Sequence, residues 1–230
     1  MRASRVPFAR GFTLIELAVV LAIIALLLGF LVVPLGTQMD QRRNADTERQ
    51  LDLIREALVG FAVANGRLPC PATPTTASTV AGAGTENKPG ANCAITDGVV
   101  PWTTLGLPET DAWGHRFTYT VTQEFANDPP GTLSTFLLTD NGGITVRASS
   151  GGVTIASNVP AVVVSHGKDG LGAYNPDGTQ IGGPMGDELE NANADVNFVS
   201  RTNAPDFDDL LTWVSPFVLK GRMVAANRLP

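Results

Sequence analysis

Few side chains in this sequence are placed to do chemistry, and Glu16 stands out among them. It is the one charge in an apolar run from Phe12 to Val33, about 22 residues. A carboxylate at mid-membrane costs roughly 2.5–3.5 kcal/mol on insertion scales, so an acid kept in such a run needs a function. The two histidines, His115 and His166, each adjoin a glycine. Ser165 and His166 would sit side by side on one strand, point to opposite faces and so form no nucleophile and base pair by themselves. No G-x-S-x-G, H-E-x-x-H or Walker-type loop occurs, and the chain is read as no enzyme. Asp169, Asn175, Asp177, Asp206, Asp208 and Asp209 carry the oxygen donors that calcium takes. Their spacing is not that of an EF-hand, because Asp169-Gly170-Leu171-Gly172 has no acids at the third and fifth positions. Solvated turn residues are the alternative reading of these acids.

Glu16 has a local reading first. Thr13-Leu14-Ile15-Glu16 fits the S/T-x-x-E capping box, in which the acid satisfies free N–H groups and the dipole at a helix start. Its surroundings add a second reading. Arg2, Arg5 and Arg10 precede the run with no acid among them, and then comes Gly11, where a peptidase can approach the backbone closely. The set Gly11-Phe12-Thr13-Leu14-Ile15-Glu16 resembles the processing site of type IV prepilins and type II secretion pseudopilins. The resemblance implies cleavage by prepilin peptidase between Gly11 and Phe12, N-methylation of Phe12, and pairing of Glu16 with the terminal amine of a neighbouring subunit. Opposite charges attract far more strongly in low dielectric than in water, and a buried acid without its partner is costly. Glu16 would then fix the axial register of assembly.

These residues need a helix to carry them. From Phe12 to Val33 a helix would rise roughly 33 Å, enough to cross a bilayer's hydrocarbon core. The leader arginines should stay cytoplasmic while the rest is translocated. A secretory signal is the competing reading, but the run is longer than a signal's apolar region and ends in Val33-Pro34-Leu35-Gly36 without an A-x-A site. The helix is expected to bend near Pro34 and to resume over 37–65 as an amphipathic spine, with Leu51, Ile54, Leu58 and Phe61 facing a globular head. Asn65-Gly66 is the stop signal.

The head should occupy 67–230. Cys70 and Cys93 lie beyond the span, where a periplasmic compartment permits a disulfide, and the isolated pair is read as bridged; two free core thiols are the alternative. The bridge would close a loop of roughly 24 residues and stabilise by about 3 kcal/mol. Within that region Ala72 to Gly90 reads as a loose surface excursion. Strands are expected at Arg116–Thr122, Ser134–Thr139, Ile144–Arg147, Val153–Ala156 and Ala161–Ser165, with turns at Asp128–Gly131 and at the hairpin signal Asn141-Gly142. A last strand should run through Asp206–Val214, and Ser215-Pro216 should cap and open a helix through about Ala226. The fold class is α+β: a long N-terminal transmembrane and spine helix packed on an antiparallel sheet.

Asp111-Ala112-Trp113-Gly114 with Phe117 and Tyr119 resembles the segment that introduces the sheet in type II secretion pseudopilins, a turn with a buried indole. Major pseudopilins also resemble this chain in a Gly/Asp loop before a D-D-I/L strand, a loop that binds calcium in them. That resemblance implies Asp169, Asp177, Asp206 and Asp208 as candidate ligands and calcium as the one cofactor in view. The insertion between Gly178 and Asp206 departs from the compact pattern.

Of 16 basic residues three lie in the leader, so processing would leave 13 against 22 acidic ones, a formal charge near −9. That disfavours a general nucleic-acid groove. The resemblance implies a structural, minor subunit of a type II secretion pseudopilus or type IV pilus. It would first be anchored in the bacterial inner membrane with a periplasmic head. A tip subunit binding an exoprotein, a surface or DNA, on the same anchor, is the second reading.

Overall fold

The computed structural model describes residues 11–128 and 133–229, with residues 28–35 in backbone only. All but Gly11 of the expected leader 1–11 and most of the expected turn at 128–131 lie outside them. Among the described residues eleven α-helices and β-strands follow in order: α1 Leu14–Asn65, β1 Asp97–Val99, α2 Trp102–Leu105, β2 Thr118–Val121, β3 Ile144–Arg147, β4 Thr154–Val159, β5 Ala161–Ser165, α3 Asp187–Glu190, β6 Asn197–Val199, β7 Leu210–Val214, then α4 Pro216–Ala225. The chain divides into two units, Met1–Arg42 and Arg43–Pro230.

In the first unit every residue from Gly11 to Leu27 is exposed, so this part of α1 presents apolar side chains all round. Among the described residues no helix is long and apolar enough to cross a membrane. The expected span 12–33 runs into residues 28–35, whose side chains lie outside the description.

In the second unit α1 buries Leu51, Ile54, Leu58, Val59 and Ala62. The helical period carries the buried face from Leu58 to Ala62, which leaves the expected Phe61 half-buried under the guanidinium of Arg67, 5.2 Å from its ring centroid. Gly66 ends the helix in the left-handed region at φ 77°, its N–H donating to the Ala62 carbonyl. Beneath this face lies a four-stranded antiparallel sheet in the order β1-β2-β5-β7. Tyr119, Val121, Ala161, Val163 and Val214 face α1. Val162 and Val164 face the other way, onto Ile144, Val146, Val159 and Phe198 of a second sheet, β4-β3-β6. Strand β5 is therefore buried on both faces, and its run Ala-Val-Val-Val shows no alternation. Helix α4 seals the first core with Leu219 and Met223, and Ser215 caps it, accepting from the Val218 N–H. Arg228 returns to the end of α1, donating from Nε and Nη2 to the Val63 and Ala64 carbonyls.

Several expectations need correction. Residues 134–139 form no strand: Phe136 is pinned by stacking on Phe125 at 4.5 Å, and the Leu137 N–H is taken by the Asp140 carboxylate. Without that strand Asn141-Gly142 is no hairpin turn. Gly142 is needed for a different reason, since a Cβ there would run into the Val159 carbonyl. The second sheet is mixed, with β3 and β6 parallel. The short strands β1 and β6, three residues each, carry no period to read. Ala72 to Gly90 is not loose: Ala72 exchanges backbone bonds with Val99, and the Ser78 N–H donates to the Pro176 carbonyl. The indole of Trp113 is half-buried rather than buried.

The fully buried Arg116 ties this region together. Its guanidinium donates to Glu109 at 2.8 Å, to the Pro74 carbonyl at 2.8 Å, to the Pro176 carbonyl at 2.9 Å and to Ser78 at 3.2 Å. It also stacks over Trp102 at 4.7 Å.

Candidate functional site

At the N-terminal site Gly11, Phe12 and Thr13 precede the first turn of α1 and are exposed, with open space where a Cβ on Gly11 would lie. The capping box forms. Thr13 donates from its N–H and its hydroxyl to Glu16 Oε2 at 2.8 and 2.9 Å, and the Glu16 N–H donates to Thr13 Oγ1 at 3.3 Å. Glu16 thus closes its own helix start and is still exposed.

In the head Cys70 and Cys93 form a disulfide, with Cα atoms 5.4 Å apart. Beside it Arg67 and Glu86 pair through two contacts of 2.8 and 2.9 Å, and the Cys70 N–H donates to the same carboxylate at 3.1 Å.

The acidic residues separate into two kinds. Asp169 and Asp208 come together with Glu188, the ligand oxygens of the three lying within 4.8 Å of one another. The Lys168 and Asp169 N–H groups donate to Asp208 Oδ2, and the Asp208 N–H donates to Glu188 Oε1. Asp208 Oδ1 is buried without a hydrogen-bond partner. Burial, with Asp169 and Asp209 nearby, raises the Glu188 carboxyl to about 7. Burial also raises Asp208, against the amide bonds it accepts. Asp177 and Asp206 are not in the cluster. The Thr179 hydroxyl and N–H hold Asp177 low, and Arg201 does the same for Asp206. Three convergent carboxylates with an orphaned oxygen fit a hard, oxygen-preferring divalent cation such as calcium.

Glu188 was not visible from sequence. It lies on the single turn α3, inside the insertion, with no periodic signal around it; only the acid-rich Asp187-Glu188-Leu189-Glu190 hinted at it.

His166 is fully buried and meets Thr118 Oγ1 through Nε2 at 2.8 Å, while Nδ1 stands 3.7 Å from Asp209 Oδ1. The order of types is that of a nucleophile, base and acid, but all three are sealed in the core and the last contact exceeds a hydrogen bond. Ser165 donates instead to Asp111 Oδ2 at 2.6 Å, as opposite strand faces require. His115 lies apart from this group, its ring against Gly170.

A helix with an acid-capped, exposed apolar start, leading into an α+β head, defines the pilin-like class of fold. A family model, the prokaryotic N-terminal methylation motif, matches residues 8–32. That match supports a type IV prepilin-like or pseudopilin protein. Pilin-like proteins of this family are structural, and they are membrane-anchored before they assemble. No curated protein and no solved structure matches the chain.

Proposed function

We propose that the chain is a minor structural subunit of a type II secretion pseudopilus or a type IV pilus. It is cut after Gly11 by prepilin peptidase, methylated on Phe12, and held in the inner membrane with its head in the periplasm until it joins the filament. The observation that carries this reading is the match over residues 8–32, which takes in Gly11 to Glu16. Two features support it. The exposed glycine ahead of the helix offers a peptidase extended backbone, and an apolar surface all round residues 14–27 needs lipid or neighbouring helices to cover it. Burying such a surface contributes roughly 25 cal/mol per Å², without direction. Glu16 supplies the direction: on approach of another subunit's amine it exchanges part of its own cap for an ion pair.

Mass spectrometry of the purified chain tests the processing step, with a mature start at Phe12 carrying one added methyl group expected. Glu16→Gln should insert normally and fail to incorporate, as read by membrane fractionation and filament purification. Normal incorporation of that variant would remove the register role.

We also infer that Asp169, Glu188 and Asp208 hold calcium, which would neutralise three crowded carboxylates and pin the inserted segment to the start of β7. Titration of calcium into the full chain in detergent should release heat and raise the unfolding temperature. Neither effect appearing would overturn the assignment.

A further inference from the structure

The two edges of the four-stranded sheet are unlike. At β1 the edge is covered, because Ala72 and Val99 exchange N–H to C=O bonds of 2.9 and 3.1 Å. At β7 it is open. The Thr122 N–H donates to the Pro160 carbonyl, which fixes the alternation along β5: the backbone groups of 160, 162 and 164 turn to β2, and those of 161, 163 and 165 turn to β7. Their partners on β7 are Val214, Thr212 and Leu210. The N–H and C=O groups of Leu211 and Trp213 therefore point out of the sheet, and they have no backbone partner among the described residues. Both residues line a groove of about 610 Å³ between α1 and β7, rimmed by Val218 at the start of α4.

The α1 wall of this groove carries Glu48, Asp52 and Glu56, all exposed and four residues apart. Arg55 pairs with Asp52, leaving Glu48 and Glu56 as the net charge. Acids one helical turn apart recur at about 6.0 Å, and alternate residues of a strand recur at about 6.6–6.8 Å. Over three positions the two spacings stay within reach of a lysine side chain.

We propose that β7 takes up an extended segment of a partner polypeptide as a fifth strand, and that this segment carries lysine or arginine at alternate positions facing Glu48, Asp52 and Glu56. The backbone of Leu211 and Trp213 supplies two donors and two acceptors to it, and the acids select its sequence. This inference stands apart from the filament reading, since it uses only residues of the second unit, beyond Arg42.

The test uses the full chain in nonionic detergent and a labelled peptide, Thr-Lys-Val-Lys-Thr-Lys-Val, followed by fluorescence anisotropy. Three comparisons accompany it: the same peptide with Glu in place of Lys, the peptide N-methylated on the amides that would meet β7, and the variant E48K/E56K, whose changes are on the surface. The lysine peptide should bind. Each comparison should weaken binding by about tenfold or more, and binding should fall with added salt. Equal binding of the N-methylated peptide, or undiminished binding to E48K/E56K, would overturn the proposal. So would displacement of the peptide by unlabelled chain with matching self-association, which would assign the edge to a second copy.

Discussion

Replacing Arg116 gives the most direct test of how the head is held together. In Arg116→Ala the carboxylate of Glu109 loses its ion-pair partner and keeps only the Ser78 hydroxyl, the Pro74 carbonyl loses its donor, and the Pro176 carbonyl falls back on Ser78. Breaking a buried ion pair from one side costs about 3–5 kcal/mol. An orphaned buried acceptor adds about 1–3 kcal/mol. The Glu109 side chain keeps 23% exposure, so water recovers part of its loss. The net expectation is a loss of about 4 kcal/mol. In a unit of about 190 residues one kcal/mol moves the midpoint by roughly 2–4 °C, so the unfolding temperature should fall by about 8–16 °C. Arg116→Lys should not rescue it: one ammonium cannot serve a carboxylate and two separate carbonyls, nor lie flat over Trp102, and about half the loss should remain. Thermal unfolding of the full chain in detergent, followed by tryptophan fluorescence, is the assay. A midpoint within about 2 °C of wild type for Arg116→Ala would refute the reasoning.

Two further predictions concern the head. Removing both sulfurs in C70A/C93A should cost about 3 kcal/mol in urea unfolding, with the denaturant slope altered because the unfolded chain is freed. The raised Glu188 makes stability depend on pH in chelator-treated buffer. Its folded carboxyl titrates near 7 against an ordinary value of 4.5, so between those values the folded state holds more protons. Stability should therefore fall as pH rises from about 4.5 to 7, and Glu188→Gln should flatten that slope. An unchanged slope in the variant would show that Glu188 is not the group responsible.

What the sequence revealed tracks how local each signal is. The core face of α1 was readable because Leu51, Ile54 and Leu58 repeat at helical spacing, and the serine and proline opening α4 announce themselves within two residues. Strands β3 and β5 matched their expected bounds because each is a short run of β-branched residues between turn signals. The expected strand at 134–139 has similar local character, but β2 and β7 already flank β5, and Phe136 is better buried against Phe125. The parallel pairing of β3 with β6 joins residues some fifty positions apart, beyond any window of periodicity. The acidic cluster was half legible for the same reason: Asp169 and Asp208 flank recognisable turns, whereas Glu188 arrives from an insertion whose path only tertiary packing decides.

The contact of Arg228 with the Val63 and Ala64 carbonyls bears on the order in which the head can form. The last turn of α1 is completed by a side chain about 165 residues further along the chain, so these two carbonyls stay open to water until the segment after α4 is in place. A break in that late segment would therefore loosen the end of α1 as well, since two stretches far apart in sequence share one clasp.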